Sequence, residues 1–350
     1  MTFNFRRSTE LYVSTTKDPL AQTEDNTFKI NVLEGFSFDQ ESGSENIGIN
    51  EAGDAPIRGQ KVFNTSLQPA TFSLPIYVRP FYDDSGGEGS EFHSCIEKPL
   101  WEALAGAGPI DTNAVEGENS FDVSFANSDV HELLKLYLYF KVDGKTYLIE
   151  RAVINTAEID FSIDGIATIT WSGEGVAIED AAAPTVYRDI PAEAEFIKNK
   201  LSTMTLVNNE DSKSYDVAIT GGSITFSNNF EFLIPEELGI VNKPIGGFTG
   251  TRSVEGNVTC YLNTGATKSG ELFSDLVEDS DTVTQDFSLQ LNMGGPSTPR
   301  VEFAMPHAHL LIPTIQTEDV FSLSVDFVGL GSAIDQADEM SVSYIATDGA

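Results

Sequence analysis

The chain has 350 residues, with 54 acidic and 20 basic side chains and a formal net charge of −34. Binding to nucleic-acid phosphates or to an anionic membrane surface requires clustered Lys and Arg, so this charge argues against both. Apolar residues make up 40% of the chain and its two cysteines are Cys95 and Cys260, which predicts packed cores without a disulfide framework, in a reducing compartment.

No apolar run reaches the roughly 20 residues that a membrane-spanning helix needs, and residues 1–10 lack the apolar core of a secretion signal. We therefore expect the protein to be made and assembled in a cytoplasm.

Alternating apolar and polar residues dominate the first half of the chain and predict antiparallel β-strands with one wet face. The segment Phe28–Val32 alternates in this way, and Phe36–Asp39 continues the pattern. A further alternation covers residues 134–142. Asp143 and Gly144, which tolerate positive φ, then predict a hairpin turn before a returning strand.

The segment 41–59 is polar and rich in glycine, and it is longer than a plain hairpin connection, which predicts an extended loop. Its few apolar residues indicate that it docks on a neighbouring subunit. The candidate inter-subunit residues are Ile47, Ile49, Glu51, Ile57 and Arg58.

Helical signals are few. Lys98–Leu104 predicts a short helix, because Pro99 suits the first turn and the apolar residues share one face. The segments Pro191–Leu201 and Gly270–Val277 are two further candidates.

The chain repeats its pattern on either side of a Pro- and Ala-rich segment, which predicts a duplication. Ile169–Gly175 is similar in pattern to Val325–Gly331, and Phe36–Phe38 is similar to Ile224–Phe226. The predicted domains are residues 1–175 and 201–335, joined by a linker over 176–200 and followed by a tail over 336–350. Acidity is shared, since residues 1–196 carry 33 acidic and 13 basic side chains and residues 197–350 carry 21 and 7.

Catalytic constellations are scarce, and we predict no enzyme activity and no cofactor. His307 and His309 share one strand face, but no third metal ligand is near in sequence, so two ordinary polar positions are the preferred interpretation. Cys95 follows His93 closely, yet a nucleophilic pair would also need an orienting group. No phosphate-binding loop, dinucleotide fingerprint or nucleophile elbow is present.

Several segments resemble the major tail tube proteins of long-tailed bacteriophages. These are Glu51–Gly53, Arg58–Phe63, Phe72–Pro80, the predicted helix at Leu100–Leu104, and the closing Ile169–Gly175 and Val325–Gly331. The resemblance covers most of the chain and is clearest over residues 25–175. It implies a mainly β fold of two tandem tail-tube-type sandwich or barrel domains, each with a short flanking α-helix.

The resemblance also implies a function. Family members form rings, usually of six domains, whose inner wall is a continuous β-barrel, and the rings stack into a tube. Two domains per chain therefore predict trimeric, pseudo-hexameric rings in the virion tail that conduct DNA without binding it specifically. The implied partners are further copies of the chain and the tape measure, terminator and baseplate proteins.

The polar strand faces are predicted to line the bore of the tube, on the basis of alternation. The candidate lumen residues are Lys29, Asn31, Ser37, Asp39, Thr168, Thr170, Asp216, Thr225, Ser322, Ser324 and Asp326. Two alternatives stay open at this point. One is another β-rich virion protein of the baseplate, tail terminator or capsid surface. The other is a β-sandwich binding module or carbohydrate-active enzyme.

Overall fold

A computed structural model of the chain describes residues 8–48, 59–83, 92–106, 120–123, 125, 133–278, 285–317, 320–334 and 336–347. In these residues the fold is mainly β, as predicted, with 22 strands and two α-helices. None of the described helices is both long enough and apolar enough to cross a membrane.

The elements of the first half are mostly antiparallel strands around one helix. They are β1 (Thr9–Ser14), β2 (Thr27–Ile30), β3 (Ser37–Gly48), β4 (Gln60–Tyr77), β5 (Pro80–Asp83), β6 (Phe92–Cys95), α1 (Lys98–Ala105), β7 (Phe121–Val123), β8 (Leu136–Val142), β9 (Lys145–Ser162), β10 (Thr168–Gly175) and β11 (Ala177–Asp180).

The second half has the same character. Its elements are β12 (Thr203–Asn208), β13 (Ser214–Tyr215), β14 (Ile219–Ser227), β15 (Phe230–Leu233), β16 (Gly246–Thr249), β17 (Ser253–Tyr261), α2 (Ser269–Glu278), β18 (Phe287–Met293), β19 (Arg300–Leu310), β20 (Thr314–Thr317), β21 (Phe321–Leu330) and β22 (Ser341–Ile345).

Eight strands form one continuous antiparallel sheet in the order β3–β4–β10–β9–β14–β17–β21–β19. The first four strands lie within residues 37–175, which we call the first unit, and the last four within residues 219–330, the second unit. If the four strands of each unit are numbered along the chain, they lie side by side in the sheet in the order first, second, fourth and third. The sequence repeat is therefore also a repeat of topology.

The repeat extends to the pairing register. Phe72 on β4 lies opposite Gly173 on β10, and Val254 on β17 lies opposite Gly329 on β21. Gly173 is required by close approach, because a Cβ atom there would lie 2.0 Å from the carbonyl oxygen of Val153. Two of the three short-helix predictions are confirmed by α1 and α2, which follow the second sheet strand of their units.

The core lies between this sheet and a second layer of strands and helices. Long β9 joins the layers of the first unit, because its first half pairs with β8 and β11 and its second half with β10 and β14. The indole rings of Trp101 on α1 and Trp171 on β10 meet edge to face at 4.7 Å, and both side chains are fully buried. Such burial of large apolar area is the main stabilising term of the fold.

Some predicted elements are wrong. Residues 41–48 are not loop, because they form the outer half of β3 and pair with β4, while 49–58 lie outside the described residues. Residues 191–201 do not form an α-helix and contain only a 3-10 turn at Asn199–Leu201.

Two segments placed outside the domains contain paired strands. The predicted linker, 176–200, includes β11, which pairs with β9. The predicted tail, 336–350, includes β22, whose Val342 and Tyr344 are fully buried between β19 and β7. The domain limits themselves stay a prediction.

Candidate functional site

One face of the eight-stranded sheet is lined by small polar and acidic side chains. Cross-strand register identifies it: Ser73 lies opposite Ser37 and Ser172, and Thr156 lies opposite Ser172 and Ser227. We call this surface the polar sheet face. Its polar members are Ser37, Asp39, Thr71, Ser73, Thr156, Glu158, Asp160, Thr168, Thr170, Ser172, Glu174, Ser223, Thr225, Ser227, Glu255, Asn257, Thr259, Ser322, Ser324 and Asp326.

The structure brings eight of the eleven predicted lumen residues together on the polar sheet face. They are Ser37, Asp39, Thr168, Thr170, Thr225, Ser322, Ser324 and Asp326.

The other three predicted lumen residues lie off this face. Lys29 belongs to β2 in the second layer, where its Nζ lies 3.8 Å from Asp189 Oδ1, and Asn31 follows the same strand. Asp216 follows β13 and pairs with Lys268.

The polar sheet face carries negative charge that no Lys or Arg of the strand segments forming it compensates. Its acidic members are Asp39, Glu158, Asp160, Glu174, Glu255 and Asp326. The sheet segments that form it, residues 37–40, 70–77, 153–162, 168–175, 219–227, 253–261 and 321–330, contain no Lys or Arg. Burial, and then the nearby carboxylate of Glu231, raises the pKa of Glu174.

The two units are joined by direct strand pairing between β9 and β14. The ladder runs without interruption from Gly221 opposite Ser162 to Ser227 opposite Thr156. Ile224 and Ile159, which face each other in this ladder, are both fully buried. This β9–β14 joint therefore makes one sheet out of two units.

The outer edges of the same sheet have no such partner. Among the described strands, β3 pairs only with β4, and β20 pairs only with β21. Strand β20 continues the line of β19 along β21, since His307–Leu310 and Thr314–Thr317 pair with successive parts of β21. Between them Leu311 and Ile312 are 47% and 56% exposed, which makes this edge unusually apolar.

Comparison with known proteins assigns the chain. Residues 83–329 match the family model described as phage tail tube protein. The chain belongs to the phage tail tube protein family. It is also 34% identical to the tail tube protein pb6 of Escherichia phage T5, in an alignment of 361 positions that covers 97% of this chain and 75% of the relative. The family resemblance drawn from the sequence is thus confirmed.

Each unit of this tail tube protein carries a hairpin, which continues the main sheet in the first unit and forms a separate two-stranded sheet in the second. The first hairpin consists of residues 41–48 of β3 and 60–67 of β4, and the second consists of β15 and β16. Of the predicted inter-subunit residues, Ile47 lies in the first hairpin and is 49% exposed. The others, Ile49, Glu51, Ile57 and Arg58, lie outside the described residues.

The reactive side chains of this tail tube protein are dispersed or buried. Burial raises the pKa of the Cys95 thiol well above its ordinary value, and Nδ1 of His93 accepts a hydrogen bond from the backbone N–H of Ala346 at 3.1 Å. His307 Nδ1 lies 3.0 Å from Asp286 Oδ2. Within the described part of the chain, no three His, Cys, Asp or Glu side chains cluster as metal ligands would.

Proposed function

We propose that three copies of this tail tube protein close into a ring whose six units form one continuous β-barrel. The observation that carries the proposal is the β9–β14 joint. It pairs β9, which lies last along the sheet in the first unit, with β14, which lies first in the second unit. At the outer edges, β3 and the stretch that runs from His309 at the end of β19 through β20 pair on one side only among the described strands. Pairing them between copies would repeat the same joint and leave no open edge.

The repeat fixes the expected register of the joint between copies. Trp171 lies opposite Ala157, as Phe327 lies opposite Leu310, so Leu310 takes the place of Ala157. Phe38 and Phe226 also correspond, because Phe38 pairs with Phe72 and Phe226 with Val254. Since Ala157 faces Phe226 within the chain, we expect Leu310 to face Phe38 of the neighbouring copy, and Leu311 to face Ser37.

The polar sheet face would then line the bore of the ring. Three chains would contribute eighteen carboxylates from the six acidic positions of the face, with no Lys or Arg from the strand segments that form it. Phosphates of passing DNA would be repelled, because like charges repel and no cation cluster offers a binding site. The net charge of −34 thereby gains a role beyond solubility.

Stacked rings of this kind would form the tail tube, a conduit for DNA ejection. The protein would act structurally and not as an enzyme. Its partners would be its own copies and other tail proteins, such as the tape measure, terminator and baseplate proteins. Assembly would take place in the host cytoplasm, and the mature protein would reside in the virion tail.

A pair of engineered cysteines tests the joint directly. Ser37→Cys with Leu311→Cys places two thiols at facing positions in different copies, since facing Cβ atoms in an antiparallel pair lie about 5 Å apart. Oxidised assemblies should therefore give covalently linked dimers and trimers on denaturing gels. Both native cysteines are buried and contribute little background.

The matched control is Thr225→Cys with Glu158→Cys, which occupies the same register inside one chain. It should form a bond without any increase in chain mass. Rings of three chains in averaged electron micrographs complete the test. Rings of six chains, or control bonds without any Ser37–Leu311 linkage in assembled tubes, would overturn the proposal.

A further inference from the structure

His309 and Asp39 lie at the two open edges of the eight-stranded sheet and on the same face of it. Asp39 on β3 is a member of the polar sheet face. His309 lies on β19 between Ala308 and Leu310, which are both buried. Because successive side chains of a strand point to opposite faces, the His309 ring lies on the polar sheet face as well.

The register expected for the joint between copies places these two residues opposite each other. Leu310 is expected to face Phe38 of the neighbouring copy. In an antiparallel pair, the residue before one member faces the residue after the other. His309 of one copy therefore faces Asp39 of the next, with Cβ atoms about 5 Å apart.

The joint inside the chain has neutral side chains at the same two positions, because Thr156 lies opposite Ser227 there. The outer edges carry an imidazole and a carboxylate instead, which attract each other once the imidazole is protonated. The other expected pairs of the outer joint are uncharged: Leu310 with Phe38, Leu311 with Ser37, and Ile312 with Phe36. Complementary charge thus enters this joint at a single pair.

The two histidines of β19 differ in what a single chain offers them. In the described part of the chain, the His309 ring and the Asp39 carboxylate take part in no hydrogen bond or ion pair. His307, two residues earlier, already has a partner in its own chain, because its Nδ1 lies 3.0 Å from Asp286 Oδ2. Assembly therefore supplies a new partner to His309 and not to His307.

We infer that His309 forms an ion pair with Asp39 of the neighbouring copy, on the bore side of the joint, and that this pair makes ring assembly depend on pH. The inference rests on the proposed ring, and it names the one contact of the joint that a proton controls.

The charged groups around the His309 ring are all carboxylates. In its own copy they are Asp326, diagonally across on β21, Glu255 on β17 beyond Val328, and Asp286 at the start of β18. In the neighbouring copy they are Asp39, Glu41 on the same strand, and Glu174 two strands away. The carboxylates of its own copy are present before and after assembly, so the change on assembly comes from the neighbour, with Asp39 the nearest.

The sign of the pH dependence follows from this arrangement. The ring holds a proton on His309 more tightly than the single chain does, because the Asp39 carboxylate of the neighbour stabilises the charged imidazole. Assembly therefore takes up protons, and it should be favoured as pH falls through the range in which histidines titrate, roughly pH 8 to 5.

A double-mutant cycle that uses the residues of the inner joint tests the pair. At about pH 6, where the imidazole is largely protonated, His309→Thr and Asp39→Ser should each raise the critical concentration for tube formation roughly two- to fivefold. The double variant should raise it no further than either single variant, because the interaction is lost only once. Sedimentation of assembled tubes measures all four chains. At about pH 8 the effect of His309→Thr should vanish, since the imidazole is then neutral.

The matched control is His307→Thr, which removes a histidine whose partner lies in its own chain. Its tubes should keep the pH dependence of the unaltered chain. The exchanged pair, His309→Asp with Asp39→His, should assemble at about pH 6 better than either exchange alone, a rescue that a purely structural role of either residue would not give.

The Ser37–Leu311 linkage separates failure of the inference from failure of the ring. Losses that simply add in the double variant, or full pH dependence in His309→Thr, would overturn the inference if the linkage forms, and the ring would stand. Absence of the linkage in assembled tubes would overturn the ring and the inference together.

Discussion

The inner joint of the sheet and its outer edges place equivalent residues in opposite surroundings. Ile159 in β9 is fully buried because β14 covers it. Its equivalent at the outer edge is Ile312, because Leu310 corresponds to Ala157 and each isoleucine lies two residues further along the chain. Ile312 is 56% exposed. Phe226 is fully buried at the inner joint, and its counterpart Phe38 is only partly buried. The outer edges therefore carry core-type residues that one chain cannot cover.

The inner joint and the outer edge also differ in how apolar their side chains are. Glu158 on the polar sheet face at the inner joint corresponds to Leu311 at the outer edge, which is 47% exposed. Association of separate molecules costs translational and rotational entropy that a joint inside one chain avoids. In the proposed ring, the extra apolar area at the outer edge would offset that cost.

The largest expected effect comes from the same charge placed at the two equivalent isoleucines. Ile159→Asp buries an unpaired carboxylate in a fully covered site and should destabilise the chain by roughly 4 kcal/mol, enough to prevent stable folding. Ile312→Asp should change the free energy of unfolding of the single chain by no more than about 0.5 kcal/mol, because the side chain is largely in solvent. Denaturant unfolding of unassembled protein measures both.

Ile312→Asp, the variant that folds, should instead have its large effect on assembly. Chains with Ile312→Asp should stay single at concentrations where the unaltered chain forms tubes, as seen by light scattering and negative-stain imaging. The exposed Leu20, 96% in solvent and far from the joint in sequence, offers the control Leu20→Asp, which should assemble normally. Normal tube formation by Ile312→Asp would show that β19–β20 is not the assembly edge.

A second comparison uses Gly173 and Gly329, which lie near the end of β10 and of β21. In Gly173→Ala the new Cβ would lie 2.0 Å from the Val153 carbonyl oxygen and 2.8 Å from the Phe72 ring. Overpacking against backbone should destabilise the chain by about 3 kcal/mol. In Gly329→Ala the nearest atom, Cβ of Val254, is 3.1 Å away, and about 1 kcal/mol is expected. Urea unfolding midpoints at equal slopes compare the two, and equal losses would contradict the packing difference.

Alternation of side chains was enough to predict the polar sheet face. Thr168, Thr170 and Asp326 alternate along their strands with core residues such as Trp171 and Phe327. Because the core residues are buried on one face of the sheet, alternation places the polar side chains on the opposite face. Lys29 and Asp216 also lie beside buried neighbours, but in or next to strands of the second layer. Which layer a strand joins depends on long-range pairing, and local sequence carries no signal for it.

The failed predictions have a similar cause. Residues 41–48 are polar on both faces and mostly exposed, so no alternation marked them as strand. The segment 191–201, where Ala194 and Ile197 are three residues apart, was predicted to be helical. They are instead buried singly, with the Ala194 carbonyl accepting a bond from Arg79 Nη2 at 2.7 Å. Tertiary contacts replaced the helical hydrogen bonds there, and sequence periodicity could not reveal them.

The last comparison concerns the residues that begin the two helices. Leu100 of α1 corresponds to Leu272 of α2, so Glu97 corresponds to Ser269, and both are fully buried. The Ser269 hydroxyl donates to the Tyr261 carbonyl oxygen at 2.6 Å and accepts from the Asn263 N–H at 2.8 Å. Glu97 brings a carboxyl to the same place, and burial raises its pKa to about 7 from an ordinary 4.5.

This difference should make the start of the first helix, and not the start of the second, sensitive to pH. Below about pH 4.5 the Glu97 carboxyl is protonated in folded and unfolded chains, and its stabilising proton is in place. Between pH 4.5 and 7 the unfolded chain loses that proton first. The free energy of unfolding should therefore fall as pH rises, by at most about 3 kcal/mol.

Subtraction isolates the contribution of Glu97 from those of other carboxyls. Glu97→Gln keeps the shape and removes the titration, so its free energy of unfolding relative to the unaltered chain should rise from pH 4.5 to pH 7 and level off above. Ser269→Ala should instead cost about 1 kcal/mol at every pH, because a buried neutral hydroxyl with two hydrogen bonds is lost. A difference between Glu97→Gln and the unaltered chain that stays flat with pH would mean that the buried carboxyl keeps its ordinary pKa in the folded chain.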